Sequence, residues 1–363
     1  MLLTIATAFS LLAAPAAELP ATFAIRAGHV LLDDSTVLDG GMVLVEDGRI
    51  RAIAREVDLP ENCAVVEHEG WLSAGLVGLH SMGSDPAEMR DATRPVLDAE
   101  VAWAFNPRSS EYAKAAAAGI TTLVLTPSSR SLSGGVSAVV KTSGGRILSR
   151  SAHLSLGFSA AALSLNAYPT SFASAVAELN NRFEKPSGAF ARARSGDLPC
   201  LFEVATRADV QRASEFSRRW KLRGAIYGAD LAGEQLDVLS ETGLAVIVAP
   251  LSAGADRRSI QSTVKLAASD IAFGFGVDNP MLDPQAMRFT AGLCIREGMD
   301  KKRAWRALTT QAAELAGVAK HVGSLQKGRD ADLVLWSGNP LELSSGVQSV
   351  YIDGKLVHEV KKP

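Results

Sequence analysis

The sequence predicts an α/β protein: a (β/α)8 TIM barrel carrying a small β-sandwich domain formed from the N- and C-terminal segments. Three observations lead there. Short apolar runs alternate with helical patterns through the middle of the 363-residue chain, and such alternation implies parallel strands joined by crossover helices. Eight such runs occur, the number that closes a barrel; a doubly wound open sheet is the alternative arrangement. Asp-Gly dipeptides stand between apolar runs in both terminal segments, and that pair supplies the positive φ of a tight hairpin turn.

Taken in order, residues 2–12 are an unbroken run of apolar, Thr and Ser residues, followed by Ala13-Ala14-Pro15-Ala16-Ala17. An apolar core ending in small residues predicts a signal peptide over 1–17 and an exported protein, periplasmic or secreted. The run is short for a membrane span, and no later stretch reaches 18 apolar residues without charge, so no stable span is expected in the mature chain. Residues 42–53 predict two strands joined by Asp47-Gly48; residues 347–358 repeat the device around Asp353-Gly354, and 331–336 is a further strand. The composite β-sandwich is assigned to 22–70 and 320–363, and the barrel to 71–319. Barrel strands are predicted at 75–80, 121–126, 136–142, 153–158, 200–205, 223–227, 244–249 and 271–277. Helices at 111–118, 171–183, 208–221, 233–241 and 256–268 separate several of them, and two more at 284–297 and 301–316 lead back to the terminal sheet.

Composition narrows the function classes. A 47% hydrophobic, 21% charged chain is globular and not disordered. Lys+Arg of 37 against Asp+Glu of 39 leaves a net charge of −2, which excludes the basic excess a nucleic-acid partner needs. Cys63, Cys200 and Cys294 are too few and too scattered for a disulfide framework or a cysteine zinc site. A small-molecule substrate is the expected partner; association into a homo-oligomer is compatible with this composition.

In a barrel the informative side chains stand at the C-terminal ends of the strands. His80 ends the first strand, Glu203 lies in the fifth, Tyr227 ends the sixth, and Asp278 follows the eighth. An imidazole and two carboxylates converging on one mouth make either an oxygen/nitrogen metal site or an acid–base set. After the second strand, Thr126-Pro127-Ser128-Ser129-Arg130-Ser131-Leu132-Ser133-Gly134-Gly135 offers backbone N–H groups to a ligand, with Gly134 permitting close approach and Arg130 adding charge; a surface turn is the plainer reading.

The order of a terminal β segment, Ala74-Gly75-Leu76-Val77-Gly78-Leu79-His80, barrel, Gly276-Val277-Asp278, and then Gly323-Ser324-Leu325-Gln326-Lys327-Gly328-Arg329-Asp330-Ala331-Asp332-Leu333 resembles the amidohydrolase superfamily, in particular its imidazolonepropionase-like branch. The resemblance runs from about Arg26 to the end. It implies a metallo-dependent hydrolase barrel plus a small β-sandwich, hydrolysis of amide or amidine C–N bonds, and a divalent metal, zinc by preference, that activates water. His80 and Asp278 fall on positions the resemblance expects; with Glu203, the nearest match at the fifth strand, they are the candidate metal ligands, and Asp278 is the candidate catalytic base.

The chain departs from that pattern. The family ends the first strand with His-x-His, and here the triplet is His80-Ser81-Met82, where a thioether is a poor zinc ligand. No His stands at the fifth or sixth strand, and the fourth has no Lys; Lys141 is on the third. Of six histidines, His29, His68, His321 and His358 fall in or beside the terminal segments, and His153 starts its strand, so His80 alone reaches the mouth. At most one metal can be held. Each residue also has a plainer role: His80 bound to backbone, Glu203 paired with Arg207 or Arg223, Asp278 as a turn cap before Pro280, and Tyr227 as a wall.

Overall fold

The computed structural model describes residues 19–33, 35–83, 99–127, 131–163, 168–251 and 254–360. The expected signal peptide at 1–17 and Arg130 lie outside the described residues. The N-terminal strands are β1 (Thr22–Leu31), β2 (Val37–Asp39), β3 (Met42–Glu46), β4 (Arg49–Ala54) and β5 (Ala64–Ala74). There follow β6 (Leu76–Ser81), β7 (Ile120–Leu125), β8 (Ser133–Val136), β9 (Ala138–Lys141), β10 (Ile147–Ser149), β11 (Leu154–Gly157), β12 (Cys200–Glu203), β13 (Gly224–Tyr227), β14 (Ala245–Val248) and β15 (Phe273–Phe275). The chain returns through β16 (Leu333–Trp336), β17 (Val347–Ile352) and β18 (Lys355–Glu359).

Strands from both ends of the chain share one eight-stranded sheet, ordered β18-β17-β16-β5-β1-β3-β4 with β2 on β1. The β3–β4 and β17–β18 turns each place an Asp and a Gly at positive φ: Asp47 at 49°, Gly48 at 74°, Asp353 at 50° and Gly354 at 74°. That is the mirror-image turn whose twist matches the flanking strands. The two turns meet; a Cβ on Gly48 would lie 2.6 Å from the Asp353 carbonyl oxygen. Residues 328–331 thread beside them, with Ile50 N donating to Arg329 O and Gly354 N to Ala331 O.

The inner strands differ from the expected parallel ring. They form a four-stranded sheet, β10-β9-β7-β6, and a six-stranded sheet, β15-β14-β13-β12-β11-β8. The segment expected as one parallel strand at 136–142 is two strands, β9 antiparallel to β7 and β8 antiparallel to β11. The chain changes sheets at Ser137, whose N–H donates to His153 O. The cause is the length of the connection: residues 126–132 are too few for a crossover, which needs about a dozen or more. Where β6 and β15 approach, Val277 N and Asp278 N both donate to His80 O, at 2.9 and 3.0 Å.

The helices are α1 (Ser110–Ala117), α2 (Phe172–Glu184), α3 (Gly188–Ser195), α4 (Arg207–Trp220), α5 (Leu236–Thr242), α6 (Arg257–Ala267), α7 (Gln285–Arg296), α8 (Lys301–Leu308) and α9 (Thr310–Leu315). Two expected helices are shorter than their apolar patterns. The one at 233–241 begins as a 3-10 turn, Ala232–Glu234, and the one at 301–316 breaks at Thr309, whose φ and ψ are −134° and −93°. Capping fixes where each loop leaves the strands. Beyond β12, Thr206 Oγ1 accepts from Asp209 N and Asp209 Oδ2 accepts from Thr206 N, a reciprocal box worth about 1 kcal/mol. Among the described residues, no helix is long and apolar enough to cross a membrane.

Candidate active site

Four sequence-predicted residues meet at the C-terminal ends of β6, β12, β13 and β15. His80 is the penultimate residue of β6, Glu203 and Tyr227 are paired last residues of β12 and β13, and Asp278 lies three residues past β15. His80 Nδ1 is 2.7 Å from Asp278 Oδ1, and its Nε2 is 3.4 Å from Glu203 Oε1. The imidazole lies flat on the Tyr227 ring, with centroids 3.6 Å apart and planes 8° from parallel. The Tyr227 hydroxyl donates to the same Asp278 Oδ1 that His80 engages.

Local backbone explains the convergence. Asp278 has φ +56°, a left-handed conformation that Asp adopts at less cost than most residues, and this turn aims the carboxylate back over β6. Gly276 lies beneath the stacked rings; a Cβ there would come 3.1 Å from Tyr227 Cε2 and 3.3 Å from His80 Cβ. Asn279 is wholly buried beside the cluster, and its Oδ1 accepts from Ser81 Oγ at 2.5 Å. Sequence reading did not single out Asn279, and met Gly276 only as part of the Gly276-Val277-Asp278 motif.

The electrostatics follow from this packing. Burial disfavours the charged imidazole, but the Glu203 carboxylate and the Asp278 hydrogen bond outweigh it and raise the His80 pKa to about 9. Burial likewise works against the Asp278 carboxylate, and the hydrogen bond and charge of His80 outweigh it, holding that carboxyl below its usual range. Burial and the Asp278 charge push the Tyr227 phenol up. At neutral pH the cluster is therefore an imidazolium, an ionised Asp278 and a neutral phenol. Asp278 is its most open member, with 22% of its side chain exposed against 10% for His80 and 4% for Glu203.

The plainer sequence roles for two residues give way here. Glu203 does not pair with Arg207 or Arg223: Arg207 lies 3.6 Å from Glu234 and Arg223 donates to Gly196 O, while Glu203 faces His80. His80 engages two carboxylates through its ring instead of the backbone. The expected binding residue Gly134 is buried in β8. His153 bonds Leu315 O away from the cluster.

An imidazole binds a metal ion through a free ring-nitrogen lone pair, and His80 directs both ring nitrogens at carboxylates. Among the described residues no group of three or more His, Cys, Asp or Glu side chains is placed to hold a metal. The donors among the described residues do not make up a divalent-ion site.

Comparison with known proteins bears on the family. A model of the amidohydrolase family matches residues 231–357. Amidohydrolase tasK of Hapsidospora irregularis is 32% identical over 77 residues, 21% of this chain and 8% of that relative, so the chain matches under a tenth of the curated relative's length. Among solved structures, an amidohydrolase from Thermotoga maritima MSB8 superimposes with a TM-score of 0.83 at 20% identity over 93% of this chain and all of the other. A prolidase complexed with N-methylphosphonate-L-proline gives a TM-score of 0.59 at 17% identity over 93% of this chain and all of the other. At these identities the structures speak to fold, and the family match speaks to the region from the loop after β13 to the terminal sheet. Residues 231–357 match the amidohydrolase family, and the fold of the chain is that of solved amidohydrolases.

Proposed function

We propose that this protein is a hydrolase of the amidohydrolase superfamily, acting on a carbon–nitrogen bond of a small molecule (an amide, cyclic amide or peptide-like substrate) through a degenerate metal site that works as an acid–base cluster. The observation that carries the reading is the hydrogen-bonded convergence of His80, Tyr227 and Asp278 at the C-terminal ends of the strands, where barrel enzymes place their chemistry. Placement in the imidazolonepropionase-like branch rests on the residues from Gly323 to Leu333. The division into a barrel domain over 71–319 and a composite β-sandwich of 22–70 and 320–363 is part of this reading; the sharing of one sheet by strands from both ends of the chain supports it. The small-residue end of the N-terminal apolar run supports export of the mature chain.

The chemistry follows from the cluster. His80 and Tyr227 occupy Oδ1 of Asp278, which leaves the exposed side of the carboxylate to face solvent. Asp278 takes a proton from water as the water oxygen bonds the substrate carbonyl carbon; the C–N bond then breaks, and the proton passes to the departing nitrogen. The His80 charge lies beside the developing oxyanion and lowers its energy. No step requires a bound metal.

The test is hydrolysis of a panel of small amides and lactams by the full chain, with Asp278→Asn as the control. Turnover in the wild type that is lost in the folded variant supports the reading; equal turnover in both removes Asp278 as the base. The saturation of both His80 nitrogens favours one second reading, a barrel that binds a small ligand without turning it over, and absence of turnover across the panel with retained ligand binding selects it.

A further inference from the structure

The turn that carries Asp278 is held to the end of β6 by a short ladder. His80 O accepts from Val277 N and Asp278 N, Met82 N donates to Asn279 O at 3.1 Å, and Leu282 N closes back on Asp278 O at 3.0 Å. Between the backbone rungs at His80 and Met82, Ser81 Oγ donates to Asn279 Oδ1 at 2.5 Å. Both residues are wholly buried. The Ser81 side of this clasp is itself anchored. Its Oγ accepts from Gly83 N at 2.8 Å, and its carbonyl accepts from Thr126 N and Thr126 Oγ1 at 2.8 and 3.2 Å.

Two observations set this side-chain pair apart from ordinary packing. Any sequence can make the backbone rungs; the Ser81–Asn279 bond is the rung that depends on residue choice, and it joins the residues next in sequence to His80 and Asp278. Asp278 stands at φ +56°, and a left-handed conformation at a residue other than glycine persists only where its surroundings over-determine it. The pair is also not the packing that stability alone would select. Asn279 Nδ2 is buried with no hydrogen-bond partner among the described residues, a cost that an apolar side chain of similar shape avoids.

We propose that Ser81 and Asn279 are positioning residues for the mouth cluster: their clasp holds the Asp278 turn in register with β6 and so keeps the Asp278 carboxylate on His80 Nδ1 and the Tyr227 hydroxyl. Neither residue touches the substrate; both act through Asp278. The proposal deepens the hydrolase reading and rests on it only where turnover is the readout, because the His80–Asp278 hydrogen bond exists with or without a substrate.

The test is the Nδ1 proton of His80, followed by NMR in the full chain carrying isotope-labelled histidine. Donated to a carboxylate, this proton resonates far downfield, and its absence from His80→Gln assigns it. Asn279→Leu removes the acceptor of the clasp together with the unpaired donor, so its melting temperature should stay close to that of the wild type. Ser81→Ala breaks the same bond from the other side. In both variants the resonance should move upfield or be lost to exchange, and turnover should fall about 10²-fold with KM little changed, the effect of a slightly misplaced group. A wild type without the resonance, or its persistence at the wild-type position in either folded variant, overturns the positioning role. So does failure of both variants to fold, which makes the pair structural. A wild type that hydrolyses no amide, with the resonance still lost in the variants, strikes the hydrolase reading and leaves the positioning role standing.

Discussion

The two ends of β6 carry two polar clusters of opposite design. At the far end His80, Glu203, Tyr227 and Asp278 gather around one cation and two carboxylates, with Asp278 partly open. At the near end, where Gly75 N donates to Asp332 O, Lys141 is wholly buried among Asp332, Asp330 and Asp353, at 2.6, 3.1 and 3.3 Å. Arg146 adds a second cation, 3.0 Å from Asp330 and 2.8 Å from Asp353, and Arg49 lies 3.8 Å from Asp330. Three cations there face three carboxylates, which compensates the desolvation of each. The network joins β9 to the terminal sheet and has no reason to be open. The mouth cluster is short of one positive charge and leaves a carboxylate reachable, the state expected of a group that exchanges protons with a substrate. The same residue types hold two parts of the fold together at one end and leave a carboxylate open to solvent at the other.

Four experiments sharpen that contrast. The largest expected effect is on the structural side: Lys141→Met leaves the buried Asp332 with no cation, while Arg146 still serves Asp330 and Asp353, and should cost about 3–5 kcal/mol of stability, read by chemical denaturation, with the mouth unaltered in the folded fraction. A loss under about 1 kcal/mol would mean the network is not what joins the sheets. Next, Asp278→Asn should lower turnover by roughly 10²–10⁴-fold with little change in melting temperature. The third is pH dependence. The His80 pKa is raised to about 9 from 6.5, so its contribution is complete below pH 6.5 and is lost as pH rises through 9. The His153 pKa is lowered to about 4 by burial, so its contribution is complete above pH 6.5 and is lost as pH falls toward 4. Urea unfolding across this range should show both flanks, and the alkaline decline should vanish in His80→Gln. The smallest effect is Tyr227→Phe, which removes one hydrogen bond and should cost about 1 kcal/mol, while moving the acidic limb of any pH–rate profile upward as Asp278 loses a stabilising donor.

Much of this was legible in the sequence, for reasons that also mark where legibility stops. Apolar runs located the inner strands to within a few residues, because a buried strand is a continuous hydrophobic stretch. The Asp-Gly turns were readable because their geometry restricts their chemistry. The antiparallel course of β8 and β9 lay in the seven residues between Leu125 and Ser133, a loop-length signal that strand counting overlooks. α3 was missed although Ser187 and Gly196 bracket it, since its apolar face is only Ala189, Phe190 and Ala193. At the site, residue types were readable and partners were not. Arg207 and Arg223 are near Glu203 in sequence, whereas its actual neighbour His80 is 123 residues away, and only tertiary closure brings them together. The unpaired Asn279 amide nitrogen has no sequence signal, because being unsatisfied is a property of surroundings.

The most direct test of the central claim, that the mouth cluster works as an acid–base network and not as a metal site, is zinc content measured together with amide turnover on the full chain before and after chelation. The account predicts substoichiometric zinc and turnover unchanged by chelator. An equimolar zinc ion that is lost in His80→Gln, with turnover disappearing on its removal and returning on its restoration, would contradict it.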